Sequence, residues 1–390
     1  MEGRLANRRI CVATSGRADY GLLYWPMRDI AAAERLSLQL LVTGTHLEPR
    51  FGETVSQIEA DGFAIDARLP MALIADDPAS LARSSALALT GTVEALERLR
   101  PDILMLLGDR FETLALAQAA MLAGVPVAHI GGGDVTEGAF DESIRHALTK
   151  LSHLHFVTHD EAARRVARMG EASDRIHVVG NPGLDRLTRA PALTRDALEA
   201  LVGRPLGARN LLVTFHPVTV SPDKGRTELE SVLRALEPLS DVTLWMTKAN
   251  ADSGGQAIND ALEAFAEDRP NVSLHDTLGG AYLPLLAACD AVVGNSSSGL
   301  AEAPSVGTPT VNIGLRQSGR RAGPSVIHCA ADPDAISRAL DRAMAGDVPG
   351  FDNPYGDGRS AARIVEALIS APPRDILLRK RFVDDEVPHV

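Results

Sequence analysis

Acids, arginines, glycines and hydroxyls gather in this chain directly after short apolar runs. Gly108-Asp109-Arg110-Phe111-Glu112 follows Ile103–Leu107, placing an acid and a guanidinium together. Gly131-Gly132-Gly133-Asp134 follows His129-Ile130, with Glu137 and then Asp141-Glu142-Ser143-Ile144-Arg145-His146 close behind. Carboxylates in such positions suit general acid–base work, and the glycines let a backbone approach a ligand closely. The plain alternatives are an Asp109–Arg110 pair capping the next helix and Asp141 as a first-turn acid stabilised by the helix dipole. Thr14-Ser15-Gly16-Arg17 opens another helix, where backbone N–H groups and Arg17 suit an anion.

The second half repeats the arrangement. His216-Pro217 follows Leu211–Phe215, and an imidazole there can donate to a phosphate oxygen. Asn250 lies in the loop after the next run. Gly294-Asn295-Ser296-Ser297-Ser298-Gly299 opens a helix predicted over Gly299–Val306, a favourable place for a diphosphate. Glu302, about one turn in, is placed to accept from ribose hydroxyls. Arg316 follows the run Thr310–Ile313. Neither GxGxxG nor GxxxxGK[ST] occurs, so the common dinucleotide and Walker loops are excluded. The histidines from His129 to His159 lack HxxxH spacing with a carboxylate, and no cysteine lies nearby; no metal is expected.

Holding these loops in place requires strands that end where the loops begin. Ile10–Thr14, Leu38–Thr43, Ile103–Leu107, Val125–Ile130, His155–Val157 and Ile176–Val179 are nearly continuous in apolar residues, as strands buried on both faces are. Helical segments alternate with them, predicting a parallel, doubly wound sheet. The pattern restarts with Leu211–Phe215, Val242–Met246, Val272–Leu274, Ala291–Val293 and Thr310–Ile313. A length of 390 residues exceeds what one core usually serves, which also predicts two domains. We expect an α/β protein with a Rossmann-like domain over 1–184, a second, nucleotide-binding one over 185–357, and a C-terminal helix and tail over 358–390 that can pack back on the first. Ligands of such sheets bind beyond the carboxyl ends of the strands.

The net charge of −12 argues against a nucleic-acid partner. The apolar stretch from Leu114 to Ile130 is broken by Gln118, Gly124 and Pro126, so no membrane span is expected. Too few apolar residues follow Arg4, Arg8 and Arg9 for a secretory signal. The three cysteines form no disulfide framework, and a cytoplasmic location is expected.

In order along the chain, SGRADYGLL, GDRFETLA, HIGGGDVTEGAFDESIRHALTKLSHLHFV, VGNPGLD, HPVT, GNSSSGLAEAPSVGTPTVNIG and RQSGR resemble the UDP-N-acetylglucosamine 2-epimerases, in their hydrolysing branch. The resemblance implies a fold like the B-type glycosyltransferases, a substrate cleft between the domains, no cofactor, and a homodimer or homotetramer. It implies elimination of UDP to a glycal followed by addition of water. Arg17, Ser296 and Ser297 resemble diphosphate contacts, His216 and Arg316 hold the same region, Glu302 resembles the ribose acid, and Asp109 and Asp141 the acid–base carboxylates. Several relatives carry a glutamate where this chain has Gly131, so either Asp134 or Glu137 takes that role or the sugar differs. N-acetylglucosamine and a 2,4-diacetamido-2,4,6-trideoxy sugar both remain open, as do UDP and GDP. Two rival readings are a glycosyltransferase, which needs an acceptor, and a silent nucleotide-sugar-binding protein.

Overall fold

The computed structural model describes residues 7–49, 54–72, 77–136, 140–189, 193–218, 221–249 and 254–384. The chain divides into two compact units. Unit 1 comprises Met1–Val135, Ala139–Arg186 and Tyr355–Val390; unit 2 comprises Leu187–Pro354 with Thr136–Gly138.

Unit 1 contains β1 (Arg8–Thr14), β2 (Leu36–Thr43), β3 (Ala67–Leu69), β4 (Ile103–Leu107), β5 (Val127–Ile130), β6 (Leu154–Val157) and β7 (Ile176–Val178). They pair in the order β3-β2-β1-β4-β5-β6-β7, every pair parallel. Unit 2 contains β8 (Asn210–Thr214), β9 (Thr243–Thr247), β10 (Val272–His275), β11 (Ala291–Gly294), β12 (Thr310–Ile313) and β13 (Val326–Cys329). Their order, β10-β9-β8-β11-β12-β13, is again wholly parallel. Each sheet reverses direction of winding beside its first strand, between β1 and β4 and between β8 and β11, which opens a crevice at the carboxyl ends.

Apolar continuity explains why the inner strands were legible. Ile10 to Thr14, Ile103 to Leu106 and all of β5, β8 and β11 are buried, as helices on both faces require. The edge strands β3 and β13 were not anticipated. Ala67-Arg68-Leu69 is too short to show a period, and β13 is largely half-exposed. The first helix runs over Arg17–Ala32, with Pro26 inside it.

The C-terminal helix Ser360–Ser370 packs on the helix Arg17–Ala32, and Ile364 and Leu368 join the core of unit 1. Asp185 carboxylate oxygens accept from the Ser360 and Ala361 N–H groups at 2.7 Å, satisfying the start of that helix. No described helix is long and apolar enough to cross a membrane.

Candidate active site

At the end of β1 the chain turns through Ser15-Gly16 into the helix Arg17–Ala32. Asp19, in its first turn, reaches back to accept from Ser15 N–H at 2.6 Å and Ser15 Oγ at 3.2 Å. Burial raises the Asp19 pKa, and the bond from the Ser15 backbone opposes it. Arg17 stands exposed at the start of the helix.

Beyond β4, Asp109 does not pair with Arg110 to cap a helix. Arg145, from the helix Phe140–Leu151, donates to Asp109 Oδ2 from Nε at 2.8 Å and also from Nη2. The same guanidinium donates to Glu142 Oε2 at 2.7 Å and to the carbonyl of Asp134 at 2.8 Å. Arg145 is only 4% exposed, so its charge must be met inside the protein, and these three oxygens meet it. Arg110 instead donates from Nε to Glu112 Oε1 at 2.5 Å. Burial works against the charge of Arg110, but Glu112, Asp19 and Asp141 outweigh it and raise its pKa.

Asp141 lies in the first turn of the Arg145 helix. Its pKa is raised, first by loss of solvation and then by the charge of Asp109; Arg110 and Arg145 pull the other way. Two carboxylates are thus brought together in unlike settings, Asp109 clamped by a guanidinium and Asp141 biased toward its neutral form. That is a workable division between base and acid.

The glycines after β5 serve two purposes. Gly131 is left-handed at φ +92° with open space around its Cα. A Cβ on Gly133 would lie 2.4 Å from the carbonyl oxygen of Ala162, so Gly133 serves packing against the helix Asp160–Arg168 rather than ligand approach. Asp134 is drawn toward that same helix. His159 accepts from Ala162 N–H at its Nδ1, which leaves the proton on Nε2 facing Asp134 Oδ1 at 3.1 Å. Thr158 Oγ1 donates to the same oxygen at 3.0 Å. His129 is fully buried and its pKa is pushed down to about 4 by burial, so the neutral ring donates from Nε2 to the Gly108 carbonyl at 2.7 Å. This ties the ends of β4 and β5 together. Glu137 and Asn250 lie outside the described residues.

In unit 2 the organising residue is Asn295, which the sequence places in the serine-rich run but gives no role of its own. Its fully buried amide accepts from His216 N–H at 2.7 Å and donates to the His216 carbonyl at 2.8 Å. Its own carbonyl accepts from Arg316 Nη1 at 3.1 Å and Gln317 Nε2 at 2.8 Å. Arg316 Nε also donates to the Pro217 carbonyl at 3.3 Å. Four loop residues singled out in sequence, His216, Ser296, Ser297 and Arg316, therefore sit on or beside one amide.

The helix expected over Gly299–Val306 is instead one α-turn, Ser298–Ala301, followed by a 3-10 turn, Ala303–Val306. Pro304 lacks an N–H and prevents continuation. Glu302 lies at the junction, not inside a helix, and its Oε2 accepts from Ser298 Oγ. Tyr282 OH donates to Ser298 Oγ at 2.8 Å, completing a short chain of hydroxyls behind the carboxylate. The flanking glycines answer to packing. A Cβ at Gly294 would fall 1.9 Å from the Thr214 carbonyl oxygen, and one at Gly299 would fall 2.6 Å from Thr310 Cγ2. Among the described residues no group of three or more His, Cys, Asp or Glu side chains is gathered to hold a metal ion.

A family model described as UDP-N-acetylglucosamine 2-epimerase matches residues 28–369. The chain is 35% identical over 384 residues to a GDP/UDP-N,N'-diacetylbacillosamine 2-epimerase (hydrolyzing) of Campylobacter jejuni, covering 97% of this chain and 100% of that one. It is 35% identical over 374 residues to the UDP-N,N'-diacetylbacillosamine 2-epimerase (hydrolyzing) of Legionella pneumophila, covering 96% and 98%. Its fold matches that of a UDP-GlcNAc 2-epimerase from Neisseria meningitidis solved with UDP-GlcNAc bound, with a TM-score of 0.77, 19% identity, and 93% and 99% coverage.

Proposed function

The chain belongs to the UDP-N-acetylglucosamine 2-epimerase family, and from that premise we propose that it converts a UDP-activated N-acetyl amino sugar to the free 2-epimeric sugar and UDP. The observation that carries the reading is the pair Asp109 and Asp141, one clamped by Arg145 and the other with a raised pKa.

In the first stage a carboxylate takes the proton from C2, the C1–O bond breaks, and UDP leaves with the bonding electrons. A C1–C2 double bond remains. In the second stage water gives its hydroxyl to C1, and C2 regains a proton on the opposite face. Two carboxyl groups in unlike settings, one held by a guanidinium and the other with a raised pKa, suit this exchange. Asp109 and Asp141 take these roles. Asp134, held by Thr158 and His159, shapes the loop between them, and Glu137 is the further acid available to that loop.

The departing diphosphate needs fixed positive charge and oriented donors. Arg17 and Arg110 supply guanidinium groups in unit 1. His216, Ser296, Ser297 and Arg316 supply donors in unit 2, Glu302 accepts from the ribose, and Asn250 completes that loop set. Of the two sugars, the 2,4-diacetamido-2,4,6-trideoxy one is favoured by the two relatives at 35% identity.

Incubation in deuterium oxide with each sugar as its UDP and GDP derivative, followed by proton NMR, tests this. A free sugar deuterated at C2 and released nucleoside diphosphate are expected from the UDP-diacetamido substrate. Turnover that requires an added acceptor would instead mark a glycosyltransferase.

A further inference from the structure

Glu112 has entered so far only as the partner of Arg110, yet among the described residues it is the most deeply buried acid beside Asp109 and Asp141. It lies in the first turn of the helix Phe111–Leu122 and is 2% exposed. A first-turn glutamate ordinarily faces water, where the positive helix end favours its charge. Here the side chain turns inward. One oxygen, Oε1, takes the short bond from Arg110 Nε at 2.5 Å. The other, Oε2, is buried and has no hydrogen-bond partner among the described residues. Glu112 also lines a small pocket of about 10 Å3 with Thr14, Ser15, Asp19 and Thr113. That is about the size that admits one water, and a buried carboxylate oxygen requires such a partner.

Arg110 is unlike Arg145. Its side chain is 58% exposed, and Nη1 and Nη2 have no hydrogen bond among the described residues. It is held at one edge and open at the other. A guanidinium anchored through Nε presents its two terminal nitrogens in a fixed plane, the geometry that meets two phosphate oxygens at once. An unanchored arginine would have to lose several rotamers on binding.

We infer that Glu112 is a positioning residue for nucleotide binding: its buried carboxylate fixes the Arg110 guanidinium so that Nη1 and Nη2 face a phosphate, while one ordered water in the pocket behind satisfies Oε2. The inference rests on the proposal that Arg110 contacts the substrate diphosphate. Glu112 touches no reacting atom and acts through Arg110 alone.

Calorimetric titration with UDP of the wild type, Glu112→Gln, Arg110→Met and the double variant tests it. Each single variant is expected to weaken UDP about tenfold, and the double variant no further, because the two residues act as one unit. UDP affinity unchanged in Glu112→Gln would overturn the inference, as would single effects that multiply to about a hundredfold in the double variant. Should Glu112→Gln fail to fold, a crystal structure of the wild type with UDP decides. Arg110 Nε still on Glu112, with a water at Oε2, supports the pairing; an Arg110 that swings away to reach UDP defeats it. A wild type that does not bind UDP sinks the functional reading itself. The Arg110 rotamer in crystals of the wild type and Glu112→Gln then still decides the pairing, which requires it to move.

Discussion

In unit 1 the polar groups are joined by charge: Asp109 to Arg145, Arg145 to Glu142 and Arg110 to Glu112. In unit 2 the Asn295 amide joins the loops through His216, the Gln317 amide and the Arg316 guanidinium both donate to the Asn295 carbonyl, and a Tyr282–Ser298 hydroxyl chain lies behind Glu302. Desolvation and then the charge of Asp109 raise the pKa of Asp141 in unit 1, which suits acid–base chemistry. In unit 2 amide and carbonyl groups order the loop donors, Arg316 included, around one residue. The same strand order thus carries two loop clusters, and the difference lies in what stabilises each.

The comparison breaks most visibly if its chemical half is wrong. Asp109→Asn and Asp141→Asn are each expected to lower turnover by at least about a hundredfold, the range of lost acid–base catalysis, while UDP affinity in calorimetry stays near the wild-type value. Near-normal turnover in both folded variants would remove the acid–base assignment. Arg145→Met comes next. It leaves Asp109 and Glu142 without their buried partner and is expected to cost about 3 kcal/mol in denaturant unfolding. A loss under about 0.5 kcal/mol would mean that the ion pairs do not hold this loop cluster.

Asn295→Ala probes the amide-centred half. Stranding the His216 N–H and carbonyl is expected to cost about 2 kcal/mol, with UDP binding weakened and the rate at saturating substrate little changed. A collapse of that rate with unchanged UDP affinity would reverse the proposed division of labour.

The mildest effect is a titration. Burial pushes His46, His129 and His153, all in unit 1, down to about 4. In the unfolded chain they take up protons near pH 6.5, so unfolded molecules bind more protons between pH 6.5 and 4. Stability is therefore full above that window and lost as pH falls through it. A loss on the order of 1 kcal/mol between pH 7 and 6 is expected in unit 1. Stability that holds or rises on acidification would contradict it.

Much of the candidate site is legible in the sequence, for a local reason. Loops after buried strands announce themselves by a change from apolar residues to glycine, acid and hydroxyl, and Asp109, Asp141, His216 and the serine run all lie at such changes. Asn295 stood in the serine-rich run without a role of its own, because an asparagine beside glycine reads as a turn residue; only burial of its amide shows that it bridges loops 79 residues apart. Glu112 was overlooked because first-turn glutamates are ordinary helix formers. Gly133, Gly294 and Gly299 were credited to a ligand, whereas neighbouring backbone and side chains already require them.

Periodicity and composition by themselves determined two parallel α/β sheets and the ends of the strands from which the functional loops spring, because burial on both faces leaves a continuous apolar mark on a short segment. What only the tertiary structure decided is partnership. Asp109 takes Arg145, 36 residues away, rather than its neighbour Arg110. Sheet order places β4 beside β5, a guanidinium buried to 4% exposure must find its oxygens there, and Arg110 is left to Glu112. The distances that select among such partners are properties of packing, and no spacing along the chain contains them.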